Sequence, residues 1–259
     1  MQMRRIGAVA GSLLAATALA ACGSSSSDIK TVAFTPLTQA NFGTSVSSTV
    51  KGVKSAHMTM KTSIMNFSAD VSYGPPIAMQ MSGTVAASGR SMYMTMRMVG
   101  TVMYMQIPGQ TPAGKFVSID LAKVPQTAGI FKALEQYRKM GPQSMLSQFK
   151  AGVNSVKYVG TAQVDGQTAR HYTVVINTAA ALKAFNSSAL LSQVSIPSTM
   201  TEQVYLDSQR RPLRLTMALP APVGTMQIDF SNWGEPVHVV APPKSQVMPI
   251  PLSAFGTAA

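Results

Sequence analysis

The chain has 259 residues with 21 Lys and Arg against 9 Asp and Glu, so its formal net charge is +12. Only 12% of the residues are charged, and a single cysteine excludes a fold held by disulfides within the chain. The length suits one large β-rich domain or two small ones. The basic residues are scattered along the chain, which favours a solvated basic surface, and we predict no nucleic-acid partner.

The first hydrophobic run ends at the only cysteine. Arg4 and Arg5 precede an uncharged apolar stretch over residues 6–21, which is the layout of a secretory signal. Leu19-Ala20-Ala21-Cys22 has the hydrophobic, small, small, Cys order at which bacterial lipoprotein signals are cut and lipidated. We therefore predict that the Cys22 thiol receives a diacylglyceryl group. Two or three acyl chains would then anchor the protein stably, because each buried CH₂ contributes about 0.8 kcal/mol. The alternative is an ordinary signal peptide with a chance cysteine.

This motif predicts a domain plan and a location. Residues 1–21 are the signal peptide, 22–35 form a lipidated, Ser-rich flexible linker, and 36–259 form a single domain. No later stretch reaches the roughly 18 apolar residues of a membrane-spanning helix. We expect the protein to be lipid-anchored at the extracytoplasmic face of the cell membrane.

The domain begins with a helical pattern and continues as strands. Pro36–Lys54 carries Phe42, Val46 and Val50 at four-residue steps, and Thr38 is suited to cap the helix. Alternation then predicts strands over His57–Ala87 and Arg90–Ile107. Gly-containing turns between the strands indicate an antiparallel meander.

Methionine is the compositional outlier of these strands. Eleven of the 19 methionines fall between Met58 and Met105, and they alternate with polar residues. We predict that all methionine faces lie on the same side of the sheet, because a slip of one residue would swap the faces. Thioether side chains are flexible, so they line surfaces for varied apolar partners, and they also fill cores. The cavity hypothesis names ten residues: Met58, Met60, Met79, Met81, Met92, Met94, Met96, Met98, Met103 and Met105.

The rest of the chain alternates helical and strand patterns. Phe116–Asp120 is a predicted short strand, Leu121–Val153 holds two predicted helices, and Val156–Asn177 is a predicted hairpin with its turn at Asp165-Gly166. Thr178–Leu191 is predicted to be helical. Strands follow over residues 201–206, 213–219 and 223–230, and a further apolar run, 237–240, precedes a Pro-rich tail.

Chemistry-bearing motifs are scarce. His57, His171 and His238 stand singly, so we predict no metal site. No Gly-x-Ser-x-Gly elbow occurs, and the lone cysteine is assigned to lipid, so we predict neither an enzyme nor a cofactor. Asp165 and Asp207 fit turn positions.

Three segments carry a family resemblance: Tyr158–Val174, Val204–Leu215, and Phe230–Val237 followed by Ala241-Pro-Pro. With the lipidation motif and the Ser-rich spacer, the chain resembles the LppX/LprA/LprF/LprG lipoproteins of mycobacteria and their relatives, which are similar to LolA and LolB. The resemblance implies an α+β fold, a curved antiparallel half-barrel closed by a few helices on its concave face. It also implies binding of acylated lipid or glycolipid in a hydrophobic cavity.

Two functions follow as hypotheses. The first is a membrane-anchored carrier of acylated lipid within the cell envelope, with Arg97 or Arg210 at the rim meeting an anionic headgroup and with any transporter partner unknown. The second is an envelope protein-interaction or sensing module with a filled core and no lipid cargo. Periodicity does not separate a filled core from a cavity.

Overall fold

In the residues that the computed structural model describes, twelve β-strands, one α-helix and one short 3-10 helix are seen from end to end. The structure describes residues 34–73, 76–87, 89–106, 109, 111–123, 152–180 and 197–249. The elements lie in one compact unit, Pro36–Ala259. They are α1 (Gln39–Thr49), β1 (Ser55–Lys61), β2 (Met65–Ser72), β3 (Ala78–Ala87), β4 (Arg90–Val99), β5 (Val102–Gln106), β6 (Phe116–Asp120), β7 (Val153–Val164), β8 (Gln167–Asn177), β9 (Thr199–Leu206), β10 (Pro212–Ala218), β11 (Thr225–Ser231) and β12 (Val247–Pro249).

The strands form one open, curved sheet in the order β12-β6-β5-β4-β3-β2-β1-β11-β10-β9-β8-β7. β1 to β6 are an antiparallel meander, β7 to β11 are a second one, and β11 joins them by pairing with β1. Only β12 pairs in parallel, with β6, among the described strands. The predicted antiparallel half-barrel is therefore confirmed.

Helix α1 packs on the β7–β11 part of the sheet. Its first turn is closed by the Thr38 N–H, which donates to Asn41 Oδ1 at 2.7 Å. Phe42 meets Tyr172 of β8 edge-on, with ring centroids 5.7 Å apart, and Val46 lies in the same buried cluster. The Leu37 N–H donates to the Tyr172 hydroxyl at 3.3 Å. We call the sheet face under α1 the concave face and the opposite one the convex face.

The predicted turns are present. Asp165 and Gly166 both have positive φ, 49° and 79°, as a two-residue hairpin turn requires. Asp207 accepts from the Gln209 and Arg211 N–H groups at 2.8 Å each, so its carboxylate organises the turn between β9 and β10.

Three predicted segments differ from the described structure or lie outside it. The predicted helices within 121–153 and 178–191 fall largely outside the described residues, and Val153 begins β7. The run 237–240, which contains His238, is not a strand. After β11 the chain is irregular until a short 3-10 helix at Lys244–Gln246 and then β12. Sequence periodicity missed β12 because its partner, β6, lies some 130 residues earlier in the chain.

Candidate ligand site on the concave face

The strand register decides which side chains share a face, because directly opposed residues point the same way. One row crosses six strands: Met58, Ala69, Met81, Met96, Met105 and Val117. A second row runs from the same strand in the other direction: Met60, Ile228, Leu215, Val204 and Tyr172. Since Phe42 of α1 packs on Tyr172, both rows belong to the concave face.

All ten methionines of the cavity hypothesis lie on this concave face. Met58 and Met60 are on β1; Met79 and Met81 on β3; Met92, Met94, Met96 and Met98 on β4; Met103 and Met105 on β5. The register brings them together across four strands, as the alternation predicted. That they line a ligand cavity stays a prediction.

The sequence hypothesis missed five methionines of the same face: Met65, Met200, Met217, Met226 and Met248. Four of the 19 methionines lie outside the described residues (Met1, Met3, Met140 and Met145), so all fifteen described ones share the concave face. For Met217 and Met226, the alternation of apolar and polar residues in Pro212–Ala218 and Thr225–Ser231 was the pattern that could have predicted their placement. We call this set of fifteen the methionine surface.

The methionine surface is only partly covered. Met98 is 6% exposed and Met92 is 40% exposed, and most of the others fall between these two values. Phe67 extends the surface by lying over Gly83 of the neighbouring strand. A Cβ on Gly83 would come within 2.7 Å of the Phe67 ring, so glycine leaves the space that the ring occupies.

One acid interrupts this apolar face. Glu202 of β9 lies directly opposite Val174 of β8 and Met217 of β10, and it is 4% exposed. Burial raises the pKa of its carboxyl group to about 7, because the charged form loses its hydration. No ion pair or hydrogen bond joins that carboxyl group to another described residue. The alternation in Thr199–Leu206 puts Glu202 on the same side as Val204, but it does not show that this side is covered.

Glu202 lines a small cavity between α1 and the sheet. The other lining residues are Phe42, Gly43, Val46, Val153, Val174, Val204, Pro212 and Leu215, and the cavity volume is about 20 Å³. That volume holds about one water-sized group. The wall of this cavity is apolar throughout, so Glu202 lines it with the methylene groups of its side chain.

The convex face carries charged side chains and also a small buried apolar cluster of Val164, Ala169, Leu213 and Tyr205. Arg97, a candidate headgroup contact in the sequence hypothesis, lies here, with its guanidinium carbon 5.2 Å from the centre of the Phe116 ring. Arg97 is thus on the face opposite to its neighbours Met96 and Met98, and its contact with a headgroup stays a prediction. The Arg214 guanidinium donates a hydrogen bond to Asp229 and forms an ion pair with Asp165 at 3.1 Å. The hydrogen bond to Asp229 is the largest cause of the raised pKa of Arg214, and the charges of both carboxylates add to it.

A hydrogen-bonded cluster on the convex face has the order of a hydrolase triad. His57 Nδ1 is 2.7 Å from Asp70 Oδ1, and its Nε2 is 3.4 Å from Ser68 Oγ. A polar cavity of about 180 Å³ adjoins His57 and Asp70 under residues 232–239. However, β2 pairs on both sides, so the amides around Ser68 serve the sheet rather than an oxyanion. We therefore assign Ser68 no role as a nucleophile.

Other expectations concern metals, membranes and Trp233. In the described ranges, no group of three His, Cys, Asp or Glu side chains is placed to hold a metal ion. No helix of the described residues is both long and apolar enough to cross a membrane. Cys22 lies outside the described residues. Trp233 stacks on Phe230 and donates to the Pro212 carbonyl at 3.0 Å, so it packs at a strand end.

Comparison with known proteins shows what this architecture is similar to. No protein-family model matches the chain, and no curated protein sequence does. Among solved structures, LprF from Mycobacterium bovis matches with a TM-score of 0.55 and 17% identity, over 79% of this chain and 96% of LprF. The lipoprotein LppX from Mycobacterium tuberculosis matches with a TM-score of 0.51 and 18% identity, over 78% of this chain and 98% of LppX. At this identity the likeness shows the fold alone, and the predicted resemblance is confirmed at that level: the chain folds as LprF and LppX do.

Proposed function

We propose that the protein is a lipid-anchored binder or carrier of acylated lipid or glycolipid in the cell envelope, with the methionine surface as its lipid-contacting face. The observation that carries this proposal is the placement of all fifteen described methionines on one face of the sheet. A structural core alone needs no such uniformity, since Leu, Ile and Val pack with better-defined shapes. Adaptable thioethers suit a surface that accepts apolar chains of varied shape.

The partial exposure of this surface supports the same proposal. Met92 and its neighbours on β4 are too open for a tightly filled core. Contiguous apolar surface of this kind marks an interaction site in most soluble proteins. The predicted anchor at Cys22 would hold this surface beside a bilayer, where acylated lipids are available at high local concentration.

The test uses the full chain carrying Cys22→Ser, purified from a cell-envelope extract without detergent. Solvent extraction followed by mass spectrometry should recover acylated lipid from the protein. Met96→Lys should lower that yield several-fold, because an ammonium group on the methionine surface opposes an apolar chain. Thr95→Lys is the matched control, since Thr95 is the next residue and faces the convex side.

Thermal unfolding of each variant separates loss of binding from loss of fold. A protein that carries no lipid and remains folded would contradict the proposal. That result would favour the alternative, an interaction or sensing module with a filled core. Equal lipid yields from Met96→Lys and Thr95→Lys would show that the methionine surface is not the contact face.

A further inference from the structure

We infer that the methionine surface also binds a metal ion, Cu(I), through a block of thioethers on β3, β4 and β5. This inference goes beyond the proposed function, because the ligand is a metal ion rather than a lipid. It also departs from the prediction of no metal site, which rested on the spacing of the histidines. We call the following residues the methionine block: Met79, Met81, Met96, Met98, Met103 and Met105.

The strand register arranges the methionine block in two rows. Met96 lies directly opposite Met81 on one side and Met105 on the other. Met98 lies in the same way between Met79 and Met103. Directly opposed residues have Cβ atoms about 4.5–5.5 Å apart, and each sulfur sits on a flexible, unbranched side chain. Sulfurs from three adjacent strands can therefore converge on one ion, with Met96 or Met98 in the middle.

Aliphatic residues border the methionine block on the two flanking strands. On β2 the rows continue as Ala69 and Val71. On β6 they continue as Val117 and Ile119. Three of these four flanking side chains are buried, whereas only Met98 is buried in the block and its other members are partly exposed. The sulfurs are thus concentrated where an ion from solution can reach this face.

The chemistry of the thioether selects the ion. Thioether sulfur is a soft, uncharged ligand, and soft sulfur ligands favour Cu(I). Uncharged ligands would leave a divalent ion with its full charge against an apolar face, which is costly. Mg²⁺ and Ca²⁺ require oxygen ligands, and the concave positions of the described strands β2 to β6 carry no side-chain oxygen.

Binding to the methionine block should not depend on pH. Cysteine, histidine and carboxylate ligands must lose a proton to bind a metal, whereas a thioether has none to lose. The charged residue among the concave positions of β2 to β6 is Arg90, at the start of β4, and a guanidinium stays charged at neutral pH. His57 and His171 lie on the convex face. Affinity that persists in mild acid therefore separates thioether binding from histidine binding.

The experiment titrates the full chain carrying Cys22→Ser with Ag(I), a redox-stable soft ion, by calorimetry in a chloride-free buffer. Cys22→Ser removes the only thiol, and this protein is the parent of the variants. Met96→Leu/Met98→Leu removes the two central sulfurs and keeps apolar side chains of similar volume. Met65→Leu/Met200→Leu is the matched control, because these two share the concave face but lie opposite Val and Ile residues.

The expected results follow from the ligand set. Met96→Leu/Met98→Leu should weaken Ag(I) binding at least about tenfold, since loss of even an outer partner of a metal ligand costs about 10–100-fold. Met65→Leu/Met200→Leu should bind as the parent does. The parent affinity should be the same at about pH 5.5 and about pH 7.5. Copper K-edge absorption of the Cu(I)-loaded parent should show sulfur ligands and no nitrogen.

The outcomes distinguish this inference from the proposed function. Equal Ag(I) affinities of the two double variants would overturn the inference, as would nitrogen ligands around Cu(I) or weaker binding at the lower pH. The pH series and the absorption spectrum use the parent alone, so they decide the inference whether or not the variants fold. Lipid recovery should be the same from Met96→Leu/Met98→Leu and the parent. A folded parent that binds Ag(I) but carries no lipid would overturn the proposed function alone.

Discussion

Glu202 couples the stability of the fold to pH. The pKa of its carboxyl group is raised by burial from 4.5 to about 7, so the folded state holds a proton that the unfolded state releases between these values. Below about pH 4.5 the carboxyl is neutral in both states, so it does not affect stability. As the pH rises from 4.5 toward 7, the unfolded state loses its proton more readily, and this penalty lowers the free energy of unfolding. Above pH 7 the penalty is complete and no longer changes.

Replacing this acid should stabilise the protein at alkaline pH. Glu202→Gln should raise the free energy of unfolding at pH 8 by roughly 3 kcal/mol, the equivalent of the pKa shift, and should change it little at pH 4.5. Urea denaturation at pH 4.5, 6 and 8 measures this difference. Glu235→Gln is the control because Glu235 is exposed. A difference between wild type and Glu202→Gln that stays constant with pH would contradict the assignment.

At the scale of elements, the pairing of β2 with β3 depends on a glycine on the concave face. Gly83 of β3 lies opposite Phe67 of β2, and a Cβ there would come within 2.0 Å of the Asn66 carbonyl oxygen. Backbone oxygen cannot move away as a flexible side chain can. The β2–β3 pair therefore tolerates no side chain at this position without a shift of the strands.

Gly83→Ala should lower the free energy of unfolding by about 1–3 kcal/mol, the usual cost of overpacking. Ser82→Ala is the matched control, since Ser82 is adjacent and faces the convex side. Chemical denaturation of both variants measures the effect. A loss below about 0.5 kcal/mol for Gly83→Ala would show that the strands accommodate the methyl group.

At the scale of the whole molecule, the chain joins a predicted anchor to a sheet with two chemically different faces. The convex face holds ion pairs such as Arg214 with Asp229, and the concave face holds the methionine surface and α1. This division would let the protein stay dissolved on one side while it contacts apolar chains on the other. The predicted anchor would determine which membrane surface the protein meets.

Cys22→Ser should move the protein from the membrane fraction to the soluble fraction, because the acyl chains predicted at Cys22 would supply the membrane affinity. Fractionation of cells that process bacterial lipoproteins, with labelling by a clickable fatty acid, measures both the location and the lipid. Ser24→Ala serves as the control within the linker. Retention of Cys22→Ser in the membrane fraction would indicate a different anchor.

The methionine surface shows how much of the site the sequence determined. Strand alternation is local, so the sequence alone predicted the faces of β1 to β5 and ten of their methionines, together with α1 and the Asp165-Gly166 turn. Which face of the β7–β11 meander continues the methionine face of β1 to β5 depends on the pairing of β1 with β11. That pairing joins residues some 170 positions apart in the chain. Met217 and Met226 therefore joined the surface only in the folded structure.

The sequence by itself determined the anchor motif, the local elements and the period-two pattern, because each depends on neighbouring residues. Only the tertiary structure decided that Glu202 is buried, since its burial requires α1 to pack over β9 from some 160 residues away. The same holds for β12, which exists because β6 offers it a free edge. Desolvation and edge pairing are properties of the assembled sheet, and no stretch of sequence contains them alone.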